Sequence, residues 1–226
     1  MYPCSFYKSY SNERAIEEIF QALYNSFGSQ NWWPAETRLE TIIGAILTQS
    51  VNWSNVEMAI ANLKEENLLS VSAIREVDID RLAKLIRPSG YYNMKAKKIK
   101  AFIKFLDKEY QGNLENIFKV ELYTLRKKLL NVYGIGPETA DSILLYAGEY
   151  PIFVIDAYTR RIFSRIGLSA VDVKYHQLQE LIMKSFSPNV VKYNEYHALL
   201  VKLAKENCKK SKALCDKCIL SSKNCG

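Results

Sequence analysis

Four cysteines crowd the end of this chain in the pattern Cys208-x6-Cys215-x2-Cys218-x6-Cys225. Four thiolates so close in sequence can close around one metal centre. Spacing alone allows either a zinc Cys4 knuckle or a [4Fe–4S] cluster. A second candidate is Asp156, which ends the apolar run Pro151-Ile-Phe-Val-Ile155 and precedes Ala157-Tyr-Thr-Arg160. An Asp at such a place caps a helix. A carboxylate beside an apolar wall can also stabilise a developing cation or activate water, and the two jobs are compatible. A third is Leu130-Asn-Val-Tyr-Gly-Ile-Gly-Pro-Glu-Thr-Ala140. Gly134 and Gly136 allow close backbone approach, and Pro137 suits the first turn of a helix. The segment reads as a helix–hairpin–helix whose free N–H groups can face a phosphate. The fourth is Asn31-Trp-Trp-Pro34 together with Trp53. Indole faces attract cationic rings, although packing is their commoner fate.

The elements that must position these residues are helical almost throughout. Ile16, Ile19, Phe20, Leu23 and Phe27 repeat at three and four, and Gly28 ends the run. Thr37 with Glu40 has the form of a capping box and opens an apolar stretch from Leu39 to Leu47, expected to be central. Further helices are expected at about Ser54–Lys64, Asp80–Ile86, Asn93–Leu106, Leu122–Leu130, Pro137–Tyr146, Ala157–Ile166, Lys174–Phe186 and Asn189–Glu206. Pro88, Ser89 and Gly90 break the chain. The β-branched run 151–155 has no partner run with which to build a sheet, so it reads as a buried extended connector. An all-α protein of about ten short helices results.

Composition narrows the function. With 48% hydrophobic and 24% charged residues among 226, the balance is that of a globular protein, not a disordered or collagen-like one. No apolar run reaches the roughly 18 residues of a membrane span. Met1 to Tyr10 lack the charged-then-apolar order of a signal peptide. A soluble, cytoplasmic protein is expected. The cysteine cluster agrees, because a secreted disulfide scaffold would spread its cysteines through the chain and only Cys4 lies apart. The net charge of +7 is clustered: residues 201–226 hold seven lysines, and residues 84–109 hold eight basic side chains. Two basic clusters on an otherwise balanced chain point to a polyanion, most simply nucleic acid.

The hairpin, then Gly148, Pro151 and Asp156 at this distance, resembles the helix–hairpin–helix–Gly/Pro–Asp superfamily of base-excision DNA glycosylases, and the endonuclease III branch in particular. Arg87-Pro-Ser-Gly-Tyr-Tyr-Asn-Met-Lys-Ala96 resembles the family's segment with Gly, Tyr-Asn and Lys-Ala at this spacing. The resemblance covers nearly the whole chain. It implies an endonuclease III-like, two-lobed, all-α fold, with residues 31–150 forming the central lobe (hairpin at about 122–147) and residues 1–30 with 151–226 forming the second. It also favours [4Fe–4S] over zinc at Cys208, Cys215, Cys218 and Cys225, although the last gap is one residue longer here. In the family the loop between the first two ligands touches DNA; here it carries Lys209, Lys210 and Lys212.

The same resemblance implies a mechanism. Bifunctional members carry a Schiff-base lysine two residues beyond the second glycine. That position is Glu138, and a carboxylate cannot form an imine. Lys127 or Lys128 could substitute, but no residue pattern argues for either. The Trp-Trp-Pro run with Leu47-Thr-Gln-Ser50 and Trp53 is similar to the 3-methyladenine DNA glycosylase III branch, where glutamate also replaces the lysine. There, aromatic residues of this region line the base pocket, which would be Trp32, Trp33, Pro34 and Trp53. This chain departs from that branch at Gln49-Ser-Val51 and in having a cysteine cluster. Asp156 is the expected catalytic residue. Gln49, Ser50, Gly134, Gly136, Thr139 and the three loop lysines are expected to contact DNA, with Gln49 or Ser50 filling the gap left by the extruded nucleotide. The implied protein is a monomeric, monofunctional glycosylase acting on damaged bases in double-stranded DNA. The alternatives are an endonuclease III-like glycosylase and lyase, and a non-catalytic DNA-binding protein. His176 and His197 receive no role.

Overall fold

The structure is a computed structural model that describes residues 11–30, 32 and 35–221. It divides into two compact units, a continuous one of residues 33–150 and a split one of residues 1–32 with 151–226.

In the continuous unit the helices are α2 (Arg38–Leu47), α3 (Trp53–Glu65), α4 (Val71–Glu76), α5 (Ile79–Leu85), α6 (Tyr92–Tyr110), α7 (Leu114–Ile117), α8 (Leu122–Leu130) and α9 (Pro137–Ser142). Every residue of α2 from Leu39 to Leu47 is buried. A helix apolar on all faces must be surrounded, and α3, α6 and α9 pack around it. The Thr37 hydroxyl accepts from Glu40 N–H at 3.1 Å, while Glu40 reaches back to Glu36 N–H, one residue earlier than a reciprocal capping box requires. The break at Pro88 is a 3-10 turn, Arg87–Ser89, closed by Gly90 with φ +64°. The helix expected at Pro137–Tyr146 changes character midway: α9 widens into a π-helical turn over Ile143–Ala147. Two short helices were not expected, α4 and α7, of six and four residues. Neither is long enough to show a 3.6-residue period.

The split unit contains α1 (Asn12–Phe27), α10 (Ala157–Arg165), α11 (Tyr175–Lys184) and α12 (Val190–Glu206). Helix α12 is its spine, contacting both α1 and α10. Phe20, Phe153, Phe186 and Tyr196 meet mostly edge to face at 5.5–6.0 Å, the geometry that ring quadrupoles favour. No described residue lies in a β-strand. The run 151–155 is an extended connector, as its isolation implies, with Ile152 to Ile155 at most 1% exposed. Buried backbone groups need partners. Helix α11 supplies them from side chains: Gln179 Nε2 donates to Phe153 O at 2.6 Å, and Ile155 N–H donates to the Tyr175 hydroxyl at 3.2 Å.

One ion pair ties the two hairpin helices. Arg126 on α8 donates from Nε and Nη2 to the carboxylate of Asp141 on α9, at 2.6 and 3.0 Å, and the Asp141 side chain is 0% exposed. Removing the cation from a buried carboxylate costs about 3–5 kcal/mol, whereas replacing both charges with apolar groups can be nearly neutral. Arg126→Met should therefore lower the urea-unfolding free energy by about that amount, and adding Asp141→Leu should recover most of it. A loss for Arg126→Met below roughly 1 kcal/mol would show that the pair is not what joins the hairpin.

Candidate active site

Asp156 sits where the extended connector turns into α10. It caps that helix, its Oδ1 accepting from Thr159 N–H at 2.7 Å. Its other oxygen, Oδ2, lies 3.5 Å from Nε2 of His197 on α12. Both side chains are nearly buried, at 13% exposure for Asp156 and 7% for His197. Burial alone would push the carboxyl pKa up. The His197 ring and the Thr159 N–H outweigh it and hold Asp156 below the usual aspartate value. The site thus presents a carboxylate that stays ionised in a place largely shut off from water. Behind it, the Phe153 and Trp32 rings pack edgewise on the His197 ring at 6.3 and 6.5 Å.

His197 is the functional candidate that sequence reasoning missed. It stands 41 positions from Asp156 on a different helix, so no local pattern joins the two. The available signal was an ionisable residue on the otherwise apolar buried face of a helix. His176, also given no role, is exposed.

The aromatic candidates fall in different units. Trp32 belongs to the split unit, where the Lys205 ammonium lies 5.7 Å from its ring centroid. Trp53 belongs to the continuous unit and, at the start of α3, lines a hollow with Ala35, Glu40, Gly44, Glu57 and Lys64. Trp33 and Pro34 lie outside the described residues.

At the hairpin, Gly134 has φ +79° and Gly136 is extended and exposed. Glu138 is exposed in the first turn of α9. Two residues expected to contact DNA also bond to each other within the protein. Gln49 Nε2 donates to Gly134 O at 3.1 Å and to the Thr139 hydroxyl at 2.8 Å. Thr139 is itself buried. Its small side chain at the third position of α9 faces the neighbouring loop. Ser50 is exposed, with a left-handed φ of 56°.

In the C-terminal loop, Cys208, Cys215 and Cys218 line one cavity with Ile162, Leu203 and Leu220. None of the three forms a disulfide. Among the described residues no three potential ligands converge tightly enough to hold a single metal ion, and Cys225 lies outside them. Helix α10 anchors the loop. Arg161 Nε donates to Cys208 O at 2.8 Å, and Arg165 donates to Lys209 O at 2.7 Å, Lys210 O at 3.1 Å and Cys208 Sγ at 3.3 Å. Lys209, Lys210 and Lys212 are exposed.

A two-glycine hairpin, a Gly/Pro segment and a capping aspartate on an all-helical, endonuclease III-like fold define a class. Residues 43–188 match the model of the HhH-GPD superfamily of base excision DNA repair proteins, and the chain belongs to that family. A Methanocaldococcus jannaschii protein, described only provisionally as a DNA repair glycosylase, is 50% identical over 205 residues, 90% of this chain and 92% of its own. Endonuclease III of Sulfolobus acidocaldarius is 30% identical over 181 residues, covering 80% of this chain and 78% of that one. Among solved structures, the H. pylori 3-methyladenine DNA glycosylase bound to 1,N6-ethenoadenine superposes with a TM-score of 0.76 at 27% identity, over 84% of this chain and 97% of that one. No helix of the described residues is long and apolar enough to cross a membrane.

The depressed pKa of Asp156 has a measurable sign. Its folded value lies below the unfolded value of about 3.9. Its ionisation therefore stabilises the fold above that pH and is lost as pH falls through the folded value. Carboxyl-carbon NMR should show Asp156 still ionised where ordinary aspartates take up a proton. In His197→Phe only the Thr159 bonds oppose burial, so the midpoint should rise relative to the wild-type protein. A wild-type midpoint above the ordinary range would refute the stabilised anion.

Proposed function

We propose that this chain is a monofunctional DNA glycosylase. It hydrolyses the N-glycosidic bond of a damaged base flipped out of double-stranded DNA, an alkylated purine such as 3-methyladenine. The observation that carries the reading is Asp156, an anion already desolvated and held in place by Thr159 N–H and His197. Loss of the base leaves an oxocarbenium-like sugar. A fixed carboxylate stabilises that charge without having to reorganise as it forms. The same carboxylate orients the attacking water toward C1′.

The absence of a lyase step follows from Glu138, an acid at the position where bifunctional relatives carry the Schiff-base lysine. Lys128 is a poor substitute: Glu109 at 3.2 Å raises its pKa and keeps the amine protonated. The alkylpurine preference is supported by the indoles Trp32, Trp33 and Trp53, whose faces suit a cationic ring, and by the 27% identity to the H. pylori enzyme. An N-alkylated purine leaves readily, so it asks little of a general acid.

Phosphate contacts come from the exposed hairpin around Gly136 and from Lys209, Lys210 and Lys212, which position the duplex without reading its sequence. Cys208, Cys215, Cys218 and Cys225 would hold a [4Fe–4S] cluster, which would fix the lysine loop between its first two ligands. Three thiols that line one cavity without a disulfide are the donor chemistry such a cluster takes, and iron and sulfide analysis distinguishes it from zinc.

A second reading, a glycosylase and lyase for oxidised or mismatched bases, is favoured by the 30% identity to an endonuclease III. Base release from duplexes bearing alkylated purines, uracil, thymine glycol, 8-oxoguanine or mismatches, assayed with and without hot alkali, separates the two. Release of alkylpurines with nicking only after alkali is expected. Nicking without alkali on an oxidised pyrimidine would establish the second reading. Asp156→Asn keeps a good N-cap but loses the charge. It should abolish base release and leave DNA binding intact; surviving release would remove Asp156 from the mechanism.

A further inference from the structure

Helix α6 carries most of the basic cluster 84–109, and its lysines divide into two sets. Lys95, Lys98 and Lys100 donate to groups of the protein itself, among them Leu47 O, Gln49 Oε1 and Arg75 O. Lys97, Lys104 and Lys108 are exposed and have no ion-pair partner among the described residues. With Ala101 they repeat at four, three and four, so they share one face of the helix.

The later part of that face borders an open groove of about 430 Å³, whose other wall runs from α8 into the hairpin. Ala101 and Phe105, both half-buried, and Val132, buried, make an apolar floor, and Lys104 and Lys108 stand on the rim. The Phe105 ring is held by those of Phe102 and Tyr110, with centroids 6.3 and 5.6 Å away. Two side-chain bonds tie the walls together. Lys128 Nζ on α8 donates to Glu109 on α6 at 3.2 Å, and the Tyr133 hydroxyl donates to Met94 Sδ at 2.9 Å. A groove with tied walls loses little freedom when it is filled.

The floor discriminates between polyanions. A phosphate backbone would meet Lys104 and Lys108 and leave Ala101, Phe105 and Val132 bare. Single-stranded bases stack on ring faces in series, and of the two rings lining the groove only Tyr133 is mostly exposed, at 57%. An acidic amphipathic helix matches both features. Its apolar residues, repeating at three and four, fill the floor, and its flanking carboxylates meet the free lysines.

We propose that the groove between α6 and α8 docks an acidic amphipathic helix of a partner protein. Its Tyr133 end adjoins Gly134 of the hairpin, so the partner stands beside the surface assigned above to phosphate contact. The docking itself does not rest on the glycosylase reading.

The probe is a synthetic helical peptide with glutamates on one face and leucines repeating at three and four on the other. Anisotropy of the labelled peptide reads affinity, and amide NMR shifts of the whole chain read the site. Shifts confined to residues 97–109 and 128–133 are expected. Lys104→Glu with Lys108→Glu should weaken binding at least roughly tenfold, through lost and reversed charge. Ala101→Trp keeps every charge and fills the floor; it should weaken binding by a similar factor, as should alanine in place of the peptide's leucines. Both protein variants should bind an undamaged duplex as the wild type does. If Ala101→Trp does not fold, the alanine peptide makes the same test of the floor.

No binding of the peptide, shifts outside the groove, or equal binding of the alanine peptide would overturn the proposal. Tighter binding of an oligothymidylate, lost in the lysine variant, would assign the groove to single-stranded DNA instead. A slope of log K on log salt for the duplex smaller by about 0.9 per lysine removed would assign Lys104 and Lys108 to its backbone, and the proposal would fall in that case too.

Discussion

An ionised carboxylate in a nearly buried place is the arrangement on which the split unit is organised. Water stabilises such a charge cheaply, and a protein must replace that water with groups of its own. Here the replacements come from three elements. Helix α10 supplies the Thr159 N–H because Asp156 is its cap. Helix α12 supplies the His197 ring. Helix α11 contributes indirectly, since Tyr175 and Gln179 fix the backbone of the residues leading to Asp156. Loosening any of these would free the carboxylate to turn and would raise its pKa from the lowered value.

The continuous unit uses a similar device for a different end. Its loops are joined by long polar side chains that reach backbone carbonyls. Lys95 closes the end of α2 on Leu47 O, Lys100 donates to Arg75 O at 2.9 Å, and the Tyr150 hydroxyl lies 2.8 Å from Phe118 O. The Lys95 ammonium carries no carboxylate partner among these bonds, and burial brings its pKa down to about 8. With no strand among the described residues, the carbonyls at helix ends have few backbone donors to meet. Side chains take over, tying the loops to neighbouring elements.

The helices were legible because burial writes a period into the sequence. The repeat from Ile16 to Phe27 and the apolar stretch Leu39–Leu47 each declare one element and its buried face. Caps were legible for the same local reason: Thr37 and Asp156 each act within three residues of themselves. The widening of α9 into a π turn over Ile143–Ala147 was not, since no residue pattern there marks it. The candidate site divides in the same way. Asp156, Glu138 and the cysteine spacing stand out as patterns along the chain. His197 beside Asp156, and Gln49 against the hairpin, are contacts across 41 and 85 positions that only folding brings about.

The connector 151–155 also bears on how the chain reaches this state. Ile152-Phe-Val-Ile155 is uncharged, β-branched or aromatic at every position, and wholly covered once folded. Such a segment is the kind that pairs with its own copies in other molecules when its backbone is bare. Its shield is α11, a later part of the chain whose Tyr175 and Gln179 occupy the groups that a neighbouring strand would use. During synthesis the segment emerges before its shield does, so self-association competes with folding over a stretch of about twenty residues, and the docking of α11 ends that competition.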